Sequence, residues 1–225
     1  MFLNFGFLLF ISPALLLGIL AQFWVRSSYA RAQKVAARLS GAAAAKRILD
    51  SAGLHDVAIE EVPGRLSDHY DPRARVLRLS QDVYHRRSLA AVGIAAHEAG
   101  HAIQHARNYF PLVIRNAAVP AAGFGSSGGM LLLLLGYIFH NPALLIFGII
   151  LFSAVVFFQL VNLPVEYDAS SRAKAELINL GIVDQYELPV VSKVLSAAAL
   201  TYVAATLQAL LTLFYYVSIF TGNRD

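Results

Sequence analysis

The stretch 93–110, GIAAHEAGHAIQHARNYF, contains His97-Glu98-x-x-His101. On an α-helix, residues four apart lie on one face about 6 Å from each other, so both imidazoles can reach one ion. Glu98 sits beside them, placed to polarise a water and take its proton. Neutral imidazole nitrogens suit zinc, which in catalytic sites keeps one position open for water. The five-residue pattern also recurs by chance, and a third ligand is needed to make a site of it.

The chain has no cysteine, which excludes thiolate ligands, disulfides and cysteine redox chemistry and leaves histidines and carboxylates. His105 continues the four-residue spacing, but it lies about 12 Å along the helix from His97 and no straight helix brings both to one ion. The position at which a metzincin carries its third histidine is Arg107. A carboxylate remains, and NLPVEYDASSRAKAEL (162–177) offers Glu166. Pro164 suits the first turn of a new helix. Such a helix places Glu166 and Ser170 on one face and turns Asp168 away by about 200°. The competing reading makes Glu166, Asp168 and Arg172 a solvated helix end.

The elements that must position these residues include membrane spans. Hydrophobic residues make up 57% of the chain and charged residues 14%, with a mean hydropathy of +0.58. Apolar stretches of spanning length cover 2–24, about 117–139, 143–163 and about 196–220. His140-Asn141-Pro142 alone separates the second from the third, a tight hairpin. The first stretch lacks a basic n-region and is too long for a signal-peptide core, so it reads as an uncleaved span. Of the 18 Lys and Arg, 17 fall in the segments between spans one and two and between spans three and four, and only Arg224 lies opposite. That bias puts both polar segments in the cytoplasm and the termini outside. It also explains the net charge of +4 without nucleic acid.

The order predicted is thus a first span (1–24), a cytoplasmic α+β segment with the motif helix (25–116), a membrane hairpin (117–163), a cytoplasmic segment bearing the third ligand (164–195), and a fourth span with a short tail (196–225). Within the first polar segment, 40–54 reads as a helix capped by Ser40 and Gly53, 57–62 and 74–80 as strands, and 63–73 as turns. The motif helix runs from near Ser88 to about Asn108. Because the hairpin returns to its starting side, it brings Glu166 back towards His97 and His101. Gly123-Phe-Gly125-Ser-Ser-Gly128 spells G-x-G-x-x-G but follows no strand, and its small residues serve close helix packing better than a nucleotide.

HEAGHAIQH, the hairpin and Glu-Tyr-x-Ala together resemble the gluzincin membrane proteases related to HtpX and the CAAX prenyl proteases. LSDHYDPR, GIAAHEAGHAIQ and LPVEYDASSRA resemble more closely a bacterial family of membrane zinc metallopeptidases labelled YugP-like, over nearly the whole chain. The resemblance implies a mainly α membrane protein with about four transmembrane helices and a small cytoplasmic α+β, zincin-like unit. It implies one zinc ion on His97, His101 and Glu166, with Glu98 as general base. The HtpX-type enzymes carry Asp four residues after the glutamate ligand, where this chain has Ser170. The expected activity is peptide hydrolysis at the cytoplasmic face of the bacterial inner membrane, on protein or peptide substrates of membrane origin, in membrane-protein quality control. The bilayer is the other partner. Substrate is expected along an exposed edge of 74–80, with His69, Tyr84, Tyr167 and Arg172 as candidate oxyanion donors. A site-2-type protease with its motif inside a span, and a non-catalytic scaffold, are the competing readings.

Overall fold

The computed structural model describes residues 5–222. Residues 2–4 of the first expected span, and Arg224, lie outside them. The chain is mainly helical, and four of its helices are long and apolar enough to cross a membrane: α1 (Phe5–Ala32), a helix over Phe110–Ile138, α7 (Pro142–Asn179) and α8 (Leu188–Gly222). These helices divide between two compact units. One holds Gln22–Leu112 and Val165–Ala199, and the other holds the residues up to Ala21, Val113–Pro164 and those from Leu200 onward.

In the first of these units, α2 (Gly41–Ser51) starts where the Ser40 side chain accepts from the Ala43 amide. It buries Ala44, Ala45, Ile48 and Leu49, a helical stripe, and the chain leaves it through Gly53 at φ +74°. A three-stranded sheet follows, in the order β1 (Ala58–Val62), β3 (Val76–Ser80), β2 (His69–Asp71). β3 pairs parallel with β1 and antiparallel with β2. The segment read as turns alone therefore contains a strand. Its short period-2 signal is masked by Asp68, whose carboxylate accepts from the Ser80 amide and hydroxyl, and by Asp71, which accepts from the Arg73 and Ala74 amides. This arrangement also corrects the expected substrate edge: 76–80 is the central strand, with both sides already paired.

After the short helix α3 (Gln81–His85), α4 (Leu89–Ala106) carries the His97–His101 motif. Ser88 caps it, accepting from the Ala91 amide. Its alanines and glycines let neighbouring helices come close on several sides. A Cβ on Gly100 would sit 2.6 Å from the Ala169 carbonyl oxygen, and one on Gly93 would sit 2.8 Å from a Val191 methyl. Ala95, Ala96, Ala99, Leu77, Leu177, Ile182 and Val191 belong to the same buried cluster.

Pro164 does not begin a helix. α7 runs unbroken through it from Pro142 to Asn179. A proline interrupts an apolar span less than a soluble helix, because neighbouring helices and side chains can compensate the backbone groups it frees.

The other unit contains α5 (Phe110–Phe124) from Val113, a π-helical turn (Gly125–Gly129), α6 (Met130–Ile138) and the apolar length of α7. The chain turns between α6 and α7 at His140 and Asn141: His140 takes a positive φ, and Asn141 caps α7 by accepting from the Ala143 and Leu144 amides. Gly125 and Gly129 lie against the α7 backbone at Leu151 and Phe152, and Gly136 against Leu145. Of the G-x-G-x-x-G run, Gly125 alone packs against a neighbouring helix, while Gly123 and Gly128 have open space around them. Each spanning helix outruns its apolar stretch, so the spans continue as the polar segments' helices.

Candidate metal centre

α4 and the polar end of α7 bring His97, His101 and Glu166 together, with one ligand atom from each all within 4.8 Å of one another. The Glu166 carboxylate is buried, which removes the solvated-helix-end reading. Its Oε2 atom lies 3.3 Å from His97 Nε2 and 3.7 Å from His101 Nε2 and makes no hydrogen bond. A buried carboxylate oxygen left unpartnered is costly in a folded protein. The same oxygen beside two imidazole nitrogens is a donor set that suits zinc. Gly100 permits the approach, since its missing Cβ lets α4 lie against the α7 backbone one turn from Glu166.

The opposite ring nitrogens decide whether those Nε2 atoms carry lone pairs. Gln104, fully buried, donates its amide nitrogen to the Val165 carbonyl and to Asp168 Oδ2, each at 2.8 Å. Its carbonyl oxygen is left to face His101 Nδ1 at 2.9 Å. Because that oxygen only accepts, His101 must donate from Nδ1, which frees Nε2 as a ligand. His97 Nδ1 lies 3.1 Å from the Ser170 hydroxyl. Asp168 therefore does serve the centre, contrary to what its angle on the helix implied. It reaches His101 through the length of Gln104 and is itself held by Arg172 Nε at 2.6 Å. Ser170, standing where HtpX-type enzymes have Asp, supports His97 directly. Gln104 was missed, although its position three residues after His101 puts it on the motif's own face.

Burial disfavours the His101 imidazolium, but the nearby Glu166 and Glu98 carboxylates outweigh this and raise its pKa. Glu98 is buried, and its Oε2 accepts from the Tyr70 amide at 3.1 Å. That amide points away from β3, so the free edge of β2 faces Glu98. The Tyr70 hydroxyl pairs with His105 Nδ1 at 2.9 Å, which gives His105 a role in holding β2 and not in ligation. Of the candidate oxyanion donors, Arg172 is committed to Asp168 and lies over the Tyr109 ring, while His69 pairs with the Ser67 carbonyl. Neither these two nor Tyr84 and Tyr167 hydrogen-bond to His97, Glu98, His101 or Glu166. α4 is not one of the four described helices long and apolar enough to cross a membrane.

The comparisons agree with this chemistry. The chain is 50% identical over 214 residues to the protein called "Putative membrane protease YugP" of Bacillus subtilis (strain 168), covering 94% of this chain and 95% of that one. No solved structure matches it. The profile of the family described as "Putative neutral zinc metallopeptidase" matches residues 7–221, and the chain belongs to that family.

Proposed function

We propose that the protein is a gluzincin-type membrane zinc endopeptidase in which His97, His101 and Glu166 hold one zinc ion per chain and Glu98 is the general base. The observation that carries this reading is the buried, unpartnered Glu166 oxygen facing two imidazole Nε2 atoms. When bound there, zinc supplies a Lewis acid that lowers the pKa of water towards about 7 and polarises a carbonyl. The Tyr70 amide holds one Glu98 oxygen in place. The other oxygen is left to take the water's proton and pass it to the leaving amine. An extended peptide lying along the outer side of β2 would run past Glu98.

The lysine and arginine distribution supports a cytoplasmic site at the surface of the bacterial inner membrane, with both termini outside. A site facing the membrane surface suits substrates drawn from membrane proteins, and quality control of such proteins is the role we assign. The segmentation into spans 1–24, 117–163 and 196–225, with polar segments 25–116 and 164–195, belongs to the same proposal.

Metal content of the purified protein tests it. Glu166→Ala is expected to lose the one equivalent of zinc that the wild type holds. Glu98→Gln is expected to keep its zinc while peptide hydrolysis falls by about 10²–10⁴-fold. Unchanged zinc in the first variant would remove Glu166 from the ligand set.

A further inference from the structure

Away from the metal centre, the unit containing Gln22–Leu112 and Val165–Ala199 has a cavity of about 290 Å³ lined by Trp24, Ser28, Arg31, Val35, Val190 and Lys193. Trp24, Ser28 and Arg31 lie on the last turns of α1, and Val190 and Lys193 on the first turns of α8. Both helices are apolar enough to span a membrane, so these turns belong to the depth at which apolar helix gives way to polar segment. Tryptophan is the residue that favours that interface.

The cavity wall is apolar, Arg31 and Lys193 are the charged residues that line it, and no carboxylate does. Lys193 has no acidic partner among the described residues. Among the described residues, Arg31 hydrogen-bonds to the Ser27 backbone and hydroxyl and pairs with no carboxylate. Ser28 is 3% exposed, and its buried hydroxyl has no hydrogen-bond partner. Buried hydroxyls are ordinarily satisfied. In a span, a serine usually returns its proton to its own helix, as Ser27 does to the Trp24 carbonyl.

We propose that this cavity binds one anionic phospholipid, with the headgroup phosphate between Arg31 and Lys193 and the start of an acyl chain against Trp24, Val35 and Val190. Basic pockets between membrane helices select anionic headgroups by charge. Arginine adds planar, multidentate hydrogen bonding to phosphate oxygens. The apolar wall commits the site to a lipid over a free anion, because inorganic phosphate would leave that wall in water.

Trp24 is the chain's single tryptophan and lines this cavity, and because it is also 40% exposed the readout is the difference between two lipids and not quenching itself. The full-length protein would be placed in bilayers containing either phosphatidylglycerol or phosphatidylcholine brominated on the acyl chains, at equal mole fraction. Brominated phosphatidylglycerol is expected to quench Trp24 at several-fold lower mole fraction than brominated phosphatidylcholine. The double variant Arg31→Gln, Lys193→Gln is expected to lose that preference, and the charge-keeping pair Arg31→Lys, Lys193→Arg to retain most of it. Equal quenching of the wild type by the two lipids overturns the proposal without recourse to any variant. Reversal of the preference by millimolar inorganic phosphate at constant ionic strength would identify a free-anion site and overturn it too.

Discussion

The two units of this chain hold their helices together by different means. In the unit with Val113–Pro164, glycines do the work: Gly125, Gly129, Gly136 and Gly148 bring backbones into contact, and Phe147, Ile150 and Phe157 face outward. A side-chain hydrogen bond there joins α5 to α7, from Arg115 Nε to Asn162 Oδ1 at 3.0 Å. The unit with the metal centre uses the same close approach at Gly93 and Gly100 but adds buried polar groups in series, from Arg172 through Asp168 and Gln104 to His101. Close packing fixes only how near two helices lie. Hydrogen bonds also fix direction, and a metal ligand needs its ring nitrogen aimed. The buried polar series therefore lies where aim matters.

A matched pair of glycine substitutions would break this comparison if it is wrong. A Cβ at Gly100 meets the Ala169 backbone, one at Gly148 meets Leu133, and neither can be relieved by rotating a side chain alone. Overpacking of this kind costs about 1–3 kcal/mol. In Gly100→Val the strain falls between α4 and α7, so zinc should be lost from protein that remains helical. In Gly148→Val the same strain falls in the hairpin, so thermal stability should drop while zinc stoichiometry holds. Metal analysis beside circular dichroism melting reads both, and equal zinc loss in the two variants would show that the units do not divide the labour this way.

Much of this division can be read in the sequence, and the reason is periodicity. Apolar runs of spanning length, the His140-Asn141-Pro142 turn between two of them and helical four-residue spacing at His97 and His101 are local signals. Glu166 was reachable by topology, since a hairpin must return to its own side. What was not legible depended on reach across space. Asp168 was judged by its angle on its own helix, but a glutamine side chain from α4 closes that gap. β2 is three residues long, too short for alternation to show, and is defined by its pairing with β3 and by Tyr70 meeting Glu98. Pro164 misled because the rule for soluble helices was applied beside a span.

The two histidines proposed as ligands offer a finer test. His101 is oriented by an amide fixed at three points, His97 by a serine hydroxyl that is free to rotate. Gln104→Leu should weaken zinc binding by about 10–100-fold, the range found when such supporting partners are removed. Ser170→Ala should fall at or below the lower end of that range. Competition against a chromophoric chelator gives both constants, and a larger loss in Ser170→Ala would reverse the assigned order.

The smallest effect concerns the turn that shapes β2. Arg78 Nη1, at 2.8 Å, together with the Ala74 and Arg73 amides, holds the Asp71 carboxyl down to about 2. A depressed carboxylate contributes stability above its unfolded value, near 4, and loses it as pH falls through the folded value. Wild type and Asp71→Asn should therefore differ slightly in Tm at neutral pH, and the gap should close between about pH 4 and pH 2. Both side chains are partly exposed, so the gap should also shrink in high salt. A gap that persists at pH 2 would mean that Asp71 holds β2 through the shape of its turn and not through its charge. In that case the strand beside Glu98 would be set, like the membrane helices, by backbone fit alone.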